Sequence, residues 1–257
     1  MKYWYETFAV SQRILTELIK RRRSLIFWSI FPISILFING YILAERANLE
    51  LSEALKMAAP PSLVGAALFF SCLGGSVATV VSEREQKTLK RLFISPLSGF
   101  SYFLGIFVAH TLIGIGQTIL VYGVIFLRGE TIEGSFFLGV VILCLSIAGY
   151  VGVGFILGTQ LAKRTEDVNA IVATFGVPLL IIGGAFLPTS LFPEELLNIA
   201  QFNPIFHMNE ALIKLWAGGE TFDDIQNHFW FLLIFSFIML IAGWLSYYRM
   251  VQSEKAL

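Results

Sequence analysis

Six stretches of the chain, at about 25–43, 60–81, 102–127, 136–161, 168–187 and 229–248, contain no Asp, Glu, Lys or Arg. Each reaches the roughly 20 residues that a helix needs to cross about 30 Å of hydrocarbon. A soluble domain can bury one such run, but six of them in 257 residues need lipid as their solvent. Composition agrees, since 14% of the residues are charged against about 25% in an ordinary soluble domain. The 18 basic and 18 acidic residues cancel, which leaves no basic excess for nucleic acid. The expected fold is all-α with six membrane spans. The whole of 1–257 forms one transmembrane domain: an interfacial helix over 1–24, spans one to five over 25–187, exterior helices over 188–228, and span six over 229–248.

The segment before span one reads as an amphipathic helix in the headgroup layer rather than a secretory signal, because its apolar residues Trp4, Phe8, Leu15, Leu18 and Ile19 recur at helical spacing. Fourteen of the basic residues fall in the two terminal segments and in 82–101 and 162–167, while Arg46, Lys56, Arg128 and Lys214 fall in the alternate ones. The positive-inside rule then places both termini in the cytoplasm, with the chain multi-pass in the cell's inner membrane. Cys72 and Cys144 lie in apolar runs and read as small hydrophobes.

The uncharged spans argue against a proton- or ion-coupled carrier, which keeps ionisable groups at depth. The imidazole of His110 in span three reads as a helix–helix hydrogen-bonding group. No nucleophile elbow, zinc-protease motif or phosphate-binding loop is found. An intramembrane enzyme acting on lipids or peptides would have to build its site from His110, Gln117 and Asn169. A membrane scaffold is the other alternative.

The loop between spans two and three is richer. Ser82 and Glu85 have the spacing of a capping box, Ser95-Pro96 stops a helix, and Leu89, Leu92 and Phe93 recur at helical spacing between them. The expectation is a short amphipathic helix under the membrane, whose basic residues also suit anionic lipid headgroups. Glu83-Arg84-Glu85, Thr88-Leu89, Leu92 and Ser95-Pro96-Leu97 resemble the first cytoplasmic loop of ABC-2-type permeases, the membrane subunits of ATP-binding-cassette exporters. The resemblance implies a coupling role for Glu83, Arg84, Glu85, Thr88, Leu89, Leu92, Ser95 and Pro96. It also implies a cytoplasmic ATPase partner that carries ATP and Mg, so that this chain holds no cofactor or metal and is not itself an enzyme.

After span five, Pro193-Glu194-Glu195 opens one short helix and Asn203-Pro204 a second, which Gly218-Gly219 ends. Asn203-Pro204, His207 and Glu210-Ala211-Leu212 are similar to a pattern in the re-entrant exterior helices of the same family. That pattern often continues to Arg, where this chain has Ile213-Lys214. The resemblance makes Pro188, Asn203, Pro204 and His207 gate residues, and pairs the chain with a second copy or a homologous permease. Its pathway would be lined from span two by Phe69, Phe70, Ser71 and Ser76, and from span five by Asn169, Thr174 and Phe175. The substrate expected is a hydrophobic or amphipathic small molecule, a lipid or a glycan. Phe27, Phe31 and Tyr41 of span one either stack sugar rings or face lipid.

Overall fold

In the computed structural model, residues 2–20, 22–86, 88 and 97–255 are described. They are mostly helical, with no strand among them, and six helices are long and apolar enough to cross a membrane. These are span one Arg22–Ala47, span two Leu51–Glu85, span three Gly99–Leu127, span four Phe136–Leu161, span five Thr165–Ile182 and span six Phe222–Ser253. The starts of spans one, three and five and the ends of spans two, four and six lie at one end of the bundle, here the terminal end, and their opposite ends form the distal end.

Span two is the central element, buried over most of its length, and it is longer than its apolar run predicts. Its first two turns, read as part of an exterior loop, are helical because Ala54, Leu55, Ala58 and Ala59 bury one face. Lys56 sits on this stretch, and its ammonium is neutralised by Glu133 and by Glu130 at 3.6 Å. Pro60 and Pro61 follow, each lacking an N–H, and the helix widens into i→i+5 winding over Ser62–Gly74. At the terminal end the helix runs through Ser82 to Glu85. Ser82 is therefore not an N-cap. Its carbonyl and hydroxyl instead accept from the backbone and side chain of Gln86, which closes the helix.

Span four separates spans two and six, and small residues on its opposite faces let it touch both. A Cβ on Gly154 would stand 1.9 Å from the Ser76 Oγ of span two, and one on Gly152 would stand 2.6 Å from the Met239 carbonyl of span six. With no hydrophobic force between helices in lipid, such backbone approach is what drives packing. Ser236 adds a hydroxyl donated to the Leu145 carbonyl at 2.7 Å.

The chain's first helix, Lys2–Lys20, packs along span three with Thr7, Val10, Ser11 and Ile14. Trp4, Phe8 and Ile19 of the expected apolar stripe stay exposed on its outside. The helix thus has two apolar faces, one on protein and one directed outward. Glu6 accepts from the Ser98 N–H at 3.2 Å, and the hydroxyl of Ser101 holds its carboxyl below the usual carboxylate range.

Span five ends five residues earlier than its apolar run, at a turn where Gly184 takes φ +78°. Span six is longer than expected, since Asp224 accepts from the N–H and hydroxyl of Thr221, both at 2.9 Å, and starts the helix seven residues before the uncharged run.

Replacing Gly152 with Leu forces spans four and six apart, and a fall in detergent thermal stability equivalent to about 1–3 kcal/mol is expected. Gly116→Leu on span three, where a Cβ meets nothing within 4 Å, should stay within about 0.5 kcal/mol of the parent. Equal melting temperatures for the two variants would contradict the packing described.

Candidate functional site

At the terminal end, three consecutive side chains of span two reach four other elements. Glu83 is buried, and its two carboxylate oxygens are divided between Arg13 of the first helix and the Tyr102 hydroxyl of span three. Arg84 points the other way and donates to the carbonyls of Gly158 and, at 3.3 Å, Ala162, where span four ends. Those carbonyls are at a helix C-terminus, where the backbone is short of donors and the dipole favours a cation. Glu85 accepts from both the hydroxyl and, at 3.2 Å, the N–H of Thr165, the first residue of span five. An anion at a helix N-terminus completes the same logic. Asp167 reinforces this start by accepting from the N–H groups of Lys163 and Arg164 at 3.0 and 2.9 Å.

Of the residues expected to meet a soluble partner, Glu83, Arg84 and Glu85 are thus engaged within the subunit. Thr88 is helical and half-buried. Leu89, Leu92, Ser95 and Pro96 lie outside the described residues. Sequence reasoning missed Arg13, Tyr102 and Thr165 as partners. The isolated Arg13 on an amphipathic helix and Tyr102 at the mouth of an apolar run were the available signals, but neither identifies its partner across the bundle.

The far ends of span five and span six are held by a second set of polar side chains. Asn203 caps the distal helix Pro204–Leu212 by accepting from the Ile205 N–H at 3.0 Å, and donates to the Leu179 carbonyl of span five at 2.7 Å. Pro204 occupies the first helical position, where its missing N–H costs nothing. Asn209 donates to the Gly183 carbonyl at 2.7 Å, and Asn39 of span one to the Ala185 carbonyl at 3.2 Å. Glu210 accepts from Thr189 at 2.7 Å, just after Pro188. His207 shares a 2.9 Å Nδ1–Nδ1 hydrogen bond with His228 of span six, its Nε2 lies 2.8 Å from the Gln201 carbonyl, and its ring stacks on Phe231. Burial lowers the His207 pKa, in keeping with a neutral pair. Trp216, in the wider turn Ile213–Ala217 that continues the helix, donates to the Ser135 carbonyl at 3.4 Å and is buried over span four.

Between these two sets of contacts, span five is largely uncovered. Asn169, Thr174 and Phe175 are exposed, whereas Gly176 faces inward on Phe69. The expected span-two lining is divided. Phe69, Ser71 and Ser76 are buried inside the subunit against spans three, four and five: Phe69 stacks edge-on with Tyr150, and the two serines bond back to their own helix. Their depth follows from the central place of span two. Phe70 alone of the four reaches an open groove of about 440 Å³ between spans one, two and five, where it meets Phe27, Trp28, Asn169 and Ala173. Phe27 and Tyr41 of span one are exposed on the outside, and Phe31 stacks on Phe27.

The residues weighed for a membrane enzyme, His110, Gln117 and Asn169, make no hydrogen bond to one another, and Gln117 is buried on span three with its Oε1 unpartnered. The His110 ring is buried, with Nδ1 2.9 Å from the Ser71 carbonyl and Nε2 3.5 Å from the Thr79 hydroxyl, a contact between spans two and three. Asn169 is exposed on span five. Cys72 and Cys144 are both free thiols, and no group of three or more metal-ligating side chains occurs among the described residues.

Six apolar helices with polar contacts concentrated at their ends define a polytopic integral membrane protein. The family model for the ABC-2 type transporter matches residues 5–216, from the first helix through the distal helix, and the chain belongs to that family of membrane subunits. Over 178 residues it is 26% identical to the protein named "Probable multidrug ABC transporter permease YbhR" in Escherichia coli K12, and equally to its namesake in Escherichia coli O157:H7. The match covers 68% of this chain and 47% of each relative, so the chain spans about half the length of these curated relatives.

Removing Arg13 should leave Glu83 buried without its cation. Arg13→Met is expected to cost about 3 kcal/mol, at the low end for a broken buried pair because the arginine is partly exposed. Adding Glu83→Gln to that variant should recover much of the loss, since the amide still accepts from Tyr102. Thermal unfolding of the single and double variants checks this, and strictly additive losses would refute the pairing.

Proposed function

We propose that the chain is the permease subunit of an ATP-driven exporter, powered by a separate cytoplasmic ATPase and working as a pair with a second copy or a homologous permease. The observation that carries this reading is the Glu83–Arg84–Glu85 triplet: the chain segment that enters the 87–96 loop is bonded directly to the end of span four and the start of span five. A push on that loop is delivered to two spans at once, and span five, held at its ends and exposed along its middle, is the element free to respond. The proposed pathway runs along the groove between spans one, two and five, lined by Phe70 and Asn169, with the exposed Thr174 and Phe175 of span five beside it and the distal helix from Asn203 to Trp216 as the outer gate. ATP and Mg belong to the partner.

The charge distribution supports a cell inner membrane with both termini in the cytoplasm. The terminal-end segments carry 14 basic and 7 acidic residues and the distal ones 4 and 11. The apolar, aromatic groove favours a hydrophobic or amphipathic cargo, and the relatives' multidrug name accords with that; outward movement follows from the exporter resemblance.

The test is reconstitution in vesicles with the ATPase that co-purifies with the chain. Replacing Leu89 with Asp should release the ATPase. Glu85→Gln should leave ATPase binding intact while lowering export of a fluorescent amphiphile about tenfold, because the link to span five is weakened. Unchanged export by both variants would refute the coupling assignment, and failure of any ATPase to co-purify would favour a scaffold role.

A further inference from the structure

A second cavity, of about 190 Å³, lies at the distal end on the same side of the bundle as the groove, between spans one and two, the turn after span five and the distal helix. Its lining is unlike that of the groove. Asn209 is fully buried, and with its Nδ2 spent on the Gly183 carbonyl its Oδ1 has no hydrogen-bond partner. A buried acceptor left unsatisfied costs about 1–3 kcal/mol, so the site is short of a donor. Next to it in sequence, the Glu210 carboxylate lines the same cavity and accepts from the Thr189 hydroxyl, yet forms no ion pair among the described residues. Lys214, one turn on, is directed to the Asp224 carbonyl, and Lys56 is taken by Glu130 and Glu133. The rest of the wall mixes the polar Asn39 and Ser190 with apolar side chains, Leu43 of span one and Met57 of span two among them.

From these facts we infer that the cavity binds the protonated amine of a cationic amphiphile, with N–H donors to Asn209 and Glu210 and the adjoining hydrocarbon on Leu43 and Met57. An ammonium supplies both the missing donor and the missing positive charge. A divalent metal ion fits less well, because this wall offers it a single carboxylate, the other polar groups being neutral amides and hydroxyls. A neutral alcohol would satisfy Asn209 and leave Glu210 without a counter-charge. The inference deepens the permease reading and rests on it for the cavity's place on an export route: the site would hold a cargo head group on the outer side, above the aromatic groove.

Binding is measured on the full chain in lipid nanodiscs without any ATPase, so the result is independent of whether transport is coupled. The probes are dodecylammonium, dodecyltrimethylammonium, which has no N–H, and dodecanol, which has no charge. Dodecylammonium should bind about tenfold more tightly than either of the others, as expected for charge-assisted hydrogen bonds in a secluded site. Glu210→Gln, which retains an acceptor for Thr189, should abolish that preference, and Glu210→Asp should keep part of it. Glu195→Gln, on the neighbouring helix outside the cavity, should bind as the parent does. Equal binding of the three probes, or an unchanged preference in Glu210→Gln with the parent's thermal stability, would overturn the proposal while leaving the permease reading intact. An ammonium preference in a chain that recruits no ATPase would support the site and refute the exporter.

Discussion

A carboxylate buried at the base of span two is the constraint from which the terminal end is built. Glu83 can stay at that depth because Arg13 supplies charge and Tyr102 a hydroxyl, and these come from two different elements. The first helix is therefore locked across span three, and the end of span two is fixed in rotation. That rotation aims the next residue, Arg84, at the open carbonyls of span four and the one after it, Glu85, at the open N–H of span five. Successive side chains on a helix diverge by about 100°, so three adjacent residues can address three directions where residues one turn apart could not. The triplet works as a junction because it is contiguous.

The distal end repeats the same economy with amides. Lipid offers no hydrogen bonds, so carbonyls freed where span five turns at Gly183–Gly184 have to be met from within the protein. Asn39 and Asn209 meet two of them, and Asn203 adds a second donor to the Leu179 carbonyl, which already accepts from the Gly183 N–H. Span five is pinned at both ends by side chains from other elements, while its middle touches little of its own subunit. A helix with that distribution of contacts can shift as a unit when either end is pulled. The central span behaves oppositely: span two is buried over most of its length, and its wide-wound stretch over Ser62–Gly74 sits where Phe69 and Tyr150 fill the core. Motion is more readily carried around it than through it.

Much of the architecture was legible in the sequence, because lipid imposes a single strong rule. Uncharged runs of sufficient length mark spans, and span four was found to the residue. The errors fall where that rule stops applying. Span two extends beyond its apolar run because Lys56 finds two carboxylates from the link between spans three and four, a pairing invisible along the chain. Ser82 and Glu85 have cap spacing, yet the helix continues through them, since a capping box competes with the backbone only where the chain is leaving helical geometry. Both family-like patterns include side chains that bond across elements, Glu83 to Glu85 at one end and Asn203 and His207 at the other. What periodicity could not give was direction: Ser71 and Ser76 read as plausible lining and are packed against neighbours instead, because an uncharged helix carries no mark of which side faces lipid, protein or a partner.

We propose that the bonds between Glu85 and Thr165 carry the stroke of a cytoplasmic partner into span five. The most direct measurement is a pulsed electron-spin distance between labels at Phe175 on two copies of the chain, reconstituted with the ATPase and recorded with and without ATP. The predicted result is a shift in that distance on ATP binding that is lost in Thr165→Val while ATP is still hydrolysed. An ATP-induced shift of the same size in Thr165→Val, or no shift in the native chain, would contradict it.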